Sequence, residues 1–152
     1  YERTHDRTIA KMGGLGSVVP VYAATFGFFV FASVGLPGLS GFVGEFLTLV
    51  GTFVVYPSAA AVATFVMILA AGYLLWMLQR VLFGDLSDFL KGLGGHLTDM
   101  RPVEAMTLVP LGVLVVVFGL WPGLILDLIA GSVDSALAAV SQAAPVALGL
   151  WR

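Results

Sequence analysis

The stretch GLPGLSGFVGEF, residues 35–46, decides how this chain is read. Apolar sequence flanks it on both sides, yet it holds a proline, four glycines and a carboxylate, Glu45. Pro37 lacks an N–H and clashes with a preceding helical turn. Gly35, Gly38 and Gly41 allow backbone conformations that other residues resist. A helix break over 35–41 is therefore expected, with an acid two turns beyond the proline.

Composition sets the surroundings of that break. The 152 residues are 59% hydrophobic and 11% charged, and the mean hydropathy is +1.03. Soluble domains carry about 25% charged residues. Runs long enough to span a bilayer, which takes ~20 residues per helix, make this an integral membrane protein. A net charge of −2 gives no electrostatic footprint for nucleic acid. Without cysteine the chain has no disulfide, thiolate metal site or iron–sulfur ligation. Its opening, YERTHDRTIAK, is polar and mixed in charge, unlike a signal peptide. It reads as a C-terminal piece of something longer, although a processed or engineered start would look the same.

The fold expected is all-α: a polytopic transmembrane bundle of three spans, forming a single membrane domain over 1–152. Residues 1–17 form a polar loop with a short helix near Arg7 to Met12. Residues 18–55 are the broken span, 59–83 the second and 105–126 the third, joined by a polar loop at 84–104. Residues 127–152 form a tail or short helix, with Asp134, Ser135, Ser141 and Gln142 along one face.

The segment 18–55 is too long for one straight crossing, since it would run roughly 57 Å at 1.5 Å per residue. It also fits two crossings poorly, because 42–55 alone reaches only about 21 Å. Charge discriminates better. One broken crossing puts Arg3, Arg7, Lys11, Arg80, Lys91 and Arg101 on the same side, with Arg152 opposite. Two crossings would divide the six. The positive-inside rule favours the first arrangement, with loops 1–17 and 84–104 cytoplasmic.

On its own the break reads equally as a plain proline kink or as a functional discontinuity. Irregular backbone is tolerated at membrane depth where protein covers it or water lines it. Freed amides and carbonyls can then hold water or ions, as in transporters with discontinuous helices. Glu45 tips the balance. A carboxylate at depth costs ~2.5–3.5 kcal/mol on insertion scales, and such groups mark proton or ion paths. Burial favours the neutral acid and a nearby cation favours the carboxylate, so an acid held between the two can exchange protons. The proton-transfer residue is therefore Glu45, and the water-lined break comprises Gly35, Pro37, Gly38, Ser40 and Gly41. The competing reading is a structural acid bonded to a neighbouring helix.

Other polar residues carry less. Arg80 reads as snorkelling to headgroups, and Tyr73, Trp76 and Trp121 as interface or packing aromatics. His5 and His96 fall in loops, and Asp127 at a span end. The sequence offers no nucleophile–base pair, phosphate loop or metal cluster, so no enzymatic step is expected within it.

At GLPGLSGFVGEF the chain resembles the antiporter-like membrane subunits of respiratory complex I, the NADH–quinone oxidoreductase, and specifically the M type (chain 4). YERTHDRTIAKMGGL resembles the loop before that family's twelfth helix, although Asp6 stands where Thr is more usual. YLLWMLQRVLFG looks like the end of the thirteenth helix, and the spacing from Arg101 through Pro110 to GLWPGLIL resembles the fourteenth. The resemblance covers essentially the whole chain but only the last third of a subunit with about fourteen spans. It implies that the first span is the family's broken twelfth helix and that Glu45 is the outermost of a row of buried charges. The related L and N types usually carry Lys there, so Glu45 points to M. The family's other proton-path residues fall outside this sequence. NADH, FMN, iron–sulfur clusters and quinone are expected in other subunits, so no cofactor is expected here. The partners implied are the lipid bilayer, other membrane-arm subunits and the N-terminal part of the same subunit, in a bacterial inner membrane or the mitochondrial inner membrane. A cation/proton antiporter or membrane-bound hydrogenase subunit is the alternative, and a purely structural helix-packing module a second one.

Overall fold

The computed structural model describes residues 3–94 and 97–149, the stretch 142–149 as backbone only. His96 and Arg152 lie outside the described residues, as does the side chain of Gln142. Every regular element described is helical. Two 3-10 turns, Ile9–Lys11 and Leu15–Ser17, lead into α1 (Pro20–Val34), α2 (Ser40–Val55), α3 (Pro57–Leu82), α4 (Asp88–Leu93), α5 (Pro102–Leu120) and α6 (Gly123–Gly149).

The path of α1 and α2 follows from their neighbours. Tyr56 alone separates α2 from α3, and Pro57 opens α3 at a first-turn position where a missing N–H costs nothing. At the other end of α3, Gly16 passes so close that a methyl group there would meet the Leu82 carbonyl at 2.8 Å. Ala23 and Val30 of α1 pack with Leu78 and Leu82 of α3, flanked by Phe26, Val34 and Leu74. Thus α1 and α2 together run antiparallel along the one helix α3. End to end, their 15 and 16 residues would measure about 46 Å, against about 39 Å for the 26 residues of α3. The excess is taken up at the break, where the last turn of α1 and the first of α2 lie side by side: a Cβ on Gly41 would collide with the Ala32 carbonyl.

A polar cap closes one end of the bundle. Val19 precedes α1 and offers no capping side chain. Asp99, from the loop before α5, supplies the cap instead: Val21 N donates to Oδ2 at 2.9 Å and Tyr22 N to Oδ1 at 3.0 Å. The Arg3 guanidinium donates to both Glu104 oxygens, at 2.8 and 2.7 Å, and so ties the N-terminal loop to α5. Ser87 caps α4 by accepting from Leu90 N and donates to the Lys11 carbonyl. Beneath this cap Leu15, Val19 and Leu90 form a small apolar cluster.

Several boundaries differ from the sequence expectation; α4 lies within the stretch expected to be loop, and α5 begins at Pro102 rather than 105. The turn expected at Arg7 to Met12 is a 3-10 turn over Ile9–Lys11. The third span ends at Leu120 rather than 126, because Trp121 precedes Pro122 and adopts φ −125°, ψ 68°, outside the helical region. The terminal helix begins immediately after, at Gly123, and is 27 residues long rather than short. Its Leu- and Ala-rich sequence keeps high helix propensity past Gly131 and Asp134.

Among the described residues three helices are long and apolar enough to cross a membrane: Pro57–Leu82, Pro102–Leu120 and Gly123–Ser141. Apolar side chains cover the outside of the bundle as well as its seams; Val54 and Met106 are each 78% exposed. Helices that are oily all round belong in lipid or against further helices. The molecule is a polytopic membrane helix bundle.

Candidate functional site

The break is made by two turns in series. Gly35 takes φ +83° at the end of α1; its N–H donates to the Ala32 carbonyl at 3.4 Å and Leu36 N donates to the Phe31 carbonyl at 3.2 Å. That pair of bonds is the Schellman termination, which calls for a left-handed residue and so for glycine. Leu36–Pro37–Gly38–Leu39 then forms a β-turn, closed by Leu39 N to the Leu36 carbonyl at 3.1 Å, with Gly38 at φ +95°. Proline first and a positive-φ glycine second is the type II arrangement. Pro37 therefore lies outside both helices. Gly35 stops α1, and Pro37 shapes the turn that follows.

Ser40 begins α2, and no side chain caps it. Among the described residues the N–H groups of Ser40 and Gly41 have no acceptor, as expected for a first turn without a cap. Glu45 lies one turn further on. Its carboxylate sits directly over Gly35: a Cβ at Gly35 would collide with Oε2. The five break residues and Glu45 are thus brought together in one place. Glu45 is half-buried in this chain rather than enclosed. Among the described residues no hydrogen-bond donor meets its carboxylate, and the ion pairs Arg3–Glu104, Lys11–Asp6 and Lys91–Asp88 all lie near the polar cap.

Two features were not foreseen from sequence. Thr48 and Thr52 share a helical face with Glu45, at the i, i+3, i+7 spacing. Each donates its hydroxyl to the carbonyl four residues back, at 2.7 Å, which leaves the oxygen lone pairs free to accept. The spacing was available in the sequence. Gly119 was not: from the last turn of α5 it presses onto the backbone of Gly38 and Leu39, and only the fold pairs those positions.

At the polar end, desolvation pushes the Asp99 carboxyl up, but the N–H groups of Val21, Tyr22 and Met100 outweigh it and hold the group below its ordinary value. The Asp6 carboxyl is also held well down, by Lys11 first and then by Thr8. Arg80 stacks on Trp76, with 4.4 Å from the guanidinium carbon to the ring centre. No group of three or more metal-ligating side chains occurs among the described residues.

Comparison with known proteins bears on this site. Residues 1–71 match the family described as "NADH:quinone oxidoreductase/Mrp antiporter, TM". The chain is 47% identical over 134 residues to NADH-quinone oxidoreductase subunit M of Rhodobacter capsulatus, covering 88% of this chain and 25% of that protein. It is 37% identical over 143 residues to the subunit M of Mycobacterium tuberculosis, covering 94% and 25%. Among solved structures it superposes on a chain of "Respiratory complex I from Thermus thermophilus with bound NADH" with TM-score 0.70 and 36% identity, over 83% of this chain and 26% of that one. It spans about a quarter of the length of these relatives. From both sequence and architecture, the chain belongs to the antiporter-like membrane-subunit family, in which it matches the C-terminal part of M subunits.

Proposed function

We propose that this chain works as part of a proton-translocating membrane-arm subunit of an NADH–quinone oxidoreductase, with Glu45 as a proton-exchange group at a broken helix. The observation that carries the reading is a half-buried carboxylate with no donor among the described residues, seated on the left-handed glycine where an otherwise apolar helix is interrupted. The names of the relatives support the setting. The free amides of Ser40 and Gly41 and the hydroxyl oxygens of Thr48 and Thr52 give water something to bond near the acid. Charge shifts that follow electron transfer elsewhere in the complex drive Glu45 to exchange its proton with the non-cytoplasmic side. The loops at 1–17 and 84–104 then face the cytoplasm, and Tyr56 and the Trp121–Pro122 turn between α5 and α6 the other side. For a bacterial host the membrane is the plasma membrane. NADH, FMN, iron–sulfur clusters and quinone are handled by other subunits, and the partners are lipid, neighbouring membrane-arm subunits and the rest of this subunit.

Glu45→Gln in the intact complex tests this. The expected outcome is a lower ratio of protons moved to NADH oxidised, in inverted membrane vesicles, with the assembled complex present at normal amount. An unchanged ratio removes Glu45 from the path and favours the purely structural helix-packing role. The family description names antiporters too, which favours a cation/proton antiporter subunit as second reading. Genes for small antiporter subunits, in place of peripheral dehydrogenase genes, beside this one would decide for it.

A further inference from the structure

We infer that Gly119, on α5, is a positioning residue for Glu45: α5 locks the break through a backbone-to-backbone contact that only glycine allows. The inference rests on the proton-exchange reading of Glu45.

The geometry runs through three contacts that all need a missing Cβ. A Cβ on Gly119 would collide with the Gly38 carbonyl and come within 2.5 Å of the carbonyl carbons of Gly38 and Leu39. These are backbone atoms of the type II turn and cannot swing aside as a side chain would. Leu39 is the residue from which α2 starts, its carbonyl accepting from Phe42 N at 3.2 Å. The first turn of α2 is in turn held against α1 at Gly41 and Ala32, and Glu45 against Gly35. Displacing the turn therefore displaces the start of α2 and the carboxylate it carries. Gly112, on the same helix, is different. A Cβ there would meet only the Phe28 ring, at 3.4 Å, and the Phe29 ring at 4.0 Å; both are side chains that can yield.

The test uses the intact complex in inverted membrane vesicles, comparing Gly119→Ala, Glu45→Gln, their double variant and Gly112→Ala. Gly119→Ala is expected to lower the proton-to-electron ratio about twofold or more, since an ångström-scale misplacement of a reacting group is costly. The double variant is expected to match Glu45→Gln alone, because Gly119 acts only through that acid. The infrared carboxyl band that disappears in Glu45→Gln should change frequency in Gly119→Ala and stay put in Gly112→Ala. A merely structural defect would lower the amount of complex without moving that band. If Gly119→Ala does not assemble, Leu120→Ala carries the same double-variant test, because Leu120 lies over the turn, 3.8 Å from where a Gly38 Cβ would stand. A drop with Glu45→Gln but none with Gly119→Ala, or additive losses in the double variant, overturns the positioning role and leaves the role of Glu45 intact. No drop with Glu45→Gln overturns both.

Discussion

At the scale of single residues, the glycines of the break are not equivalent. Gly35 and Gly38 both have positive φ, but a side chain at Gly35 runs into Glu45 whereas one at Gly38 meets only Leu120, at 3.8 Å. Asn tolerates the left-handed region better than other non-glycine residues. Gly38→Asn should therefore leave assembled complex near its normal level and Gly35→Asn should not, as read on native gels; equal behaviour of the two would contradict the contact with Glu45. Pro37→Ala should matter little. The helix is stopped by Gly35, and loss of a well-placed proline costs only about 0.4–1 kcal/mol through the unfolded chain. A large loss of pumping in Pro37→Ala would mean that the proline itself sets the break. The place of the break and its acid were legible in the sequence because breakers and a carboxylate are conspicuous in apolar surroundings. How the break is built was not, since a kinking proline and a proline just past a glycine stop look alike until hydrogen bonds are assigned.

At the scale of elements, the caps decide what holds α1. Its N-terminus has no local cap and depends on Asp99. Asp99→Ala should speed hydrogen exchange at Val21 and Tyr22 and make the 97–101 segment more sensitive to protease, while exchange within α3 stays unchanged. The folded Asp99 carboxyl titrates below its ordinary value of 3.8, so its stabilising effect is complete above that value and is lost only as pH falls through the lower folded one. Protection of those two amides should thus be flat between about pH 5 and pH 7. A change within that window would identify a different group as the cap. Local signals for α4 were present: Ser87 as cap, Asp88 in the first turn, Lys91 in the last. The loop around it was nevertheless read as irregular, because six residues show too little apolar period to declare a helix. The cap by Asp99 could not be read at all, being a contact 78 residues away. For α6, sparse polar residues suggested a tail or short helix, but scattered serines and aspartates do not stop a helix, and its one proline, Pro145, comes only in its last turns.

At the scale of the whole molecule, the fold gathers charge at one end. Arg3, Lys11, Lys91 and Arg101 lie in or beside the polar cap, and Arg80 in the last turn of α3, which leads into it. This is what the charge count expected if α1 and α2 make one passage. Tyr56, exposed at the opposite end of α3, should then face the other side of the membrane from Gly92 on α4. In the full subunit, Tyr56→Cys should react with an impermeant maleimide from the non-cytoplasmic side only, and Gly92→Cys from the cytoplasmic side only. Labelling of Ala10→Cys, in the exposed N-terminal loop, from the same side as Tyr56→Cys would mean that α1 and α2 cross separately.

The long reach of Asp99 also bears on biosynthesis. At ~5–20 residues per second, the ribosome needs roughly 4–16 s to pass from Val21 to Asp99. For those seconds α1 has no carboxylate at its head, so its first amides must stay hydrated at the membrane surface. The helix can be sealed in place only after α3 has emerged behind it, which makes the arrival of one late aspartate the step that commits the broken helix to its final depth.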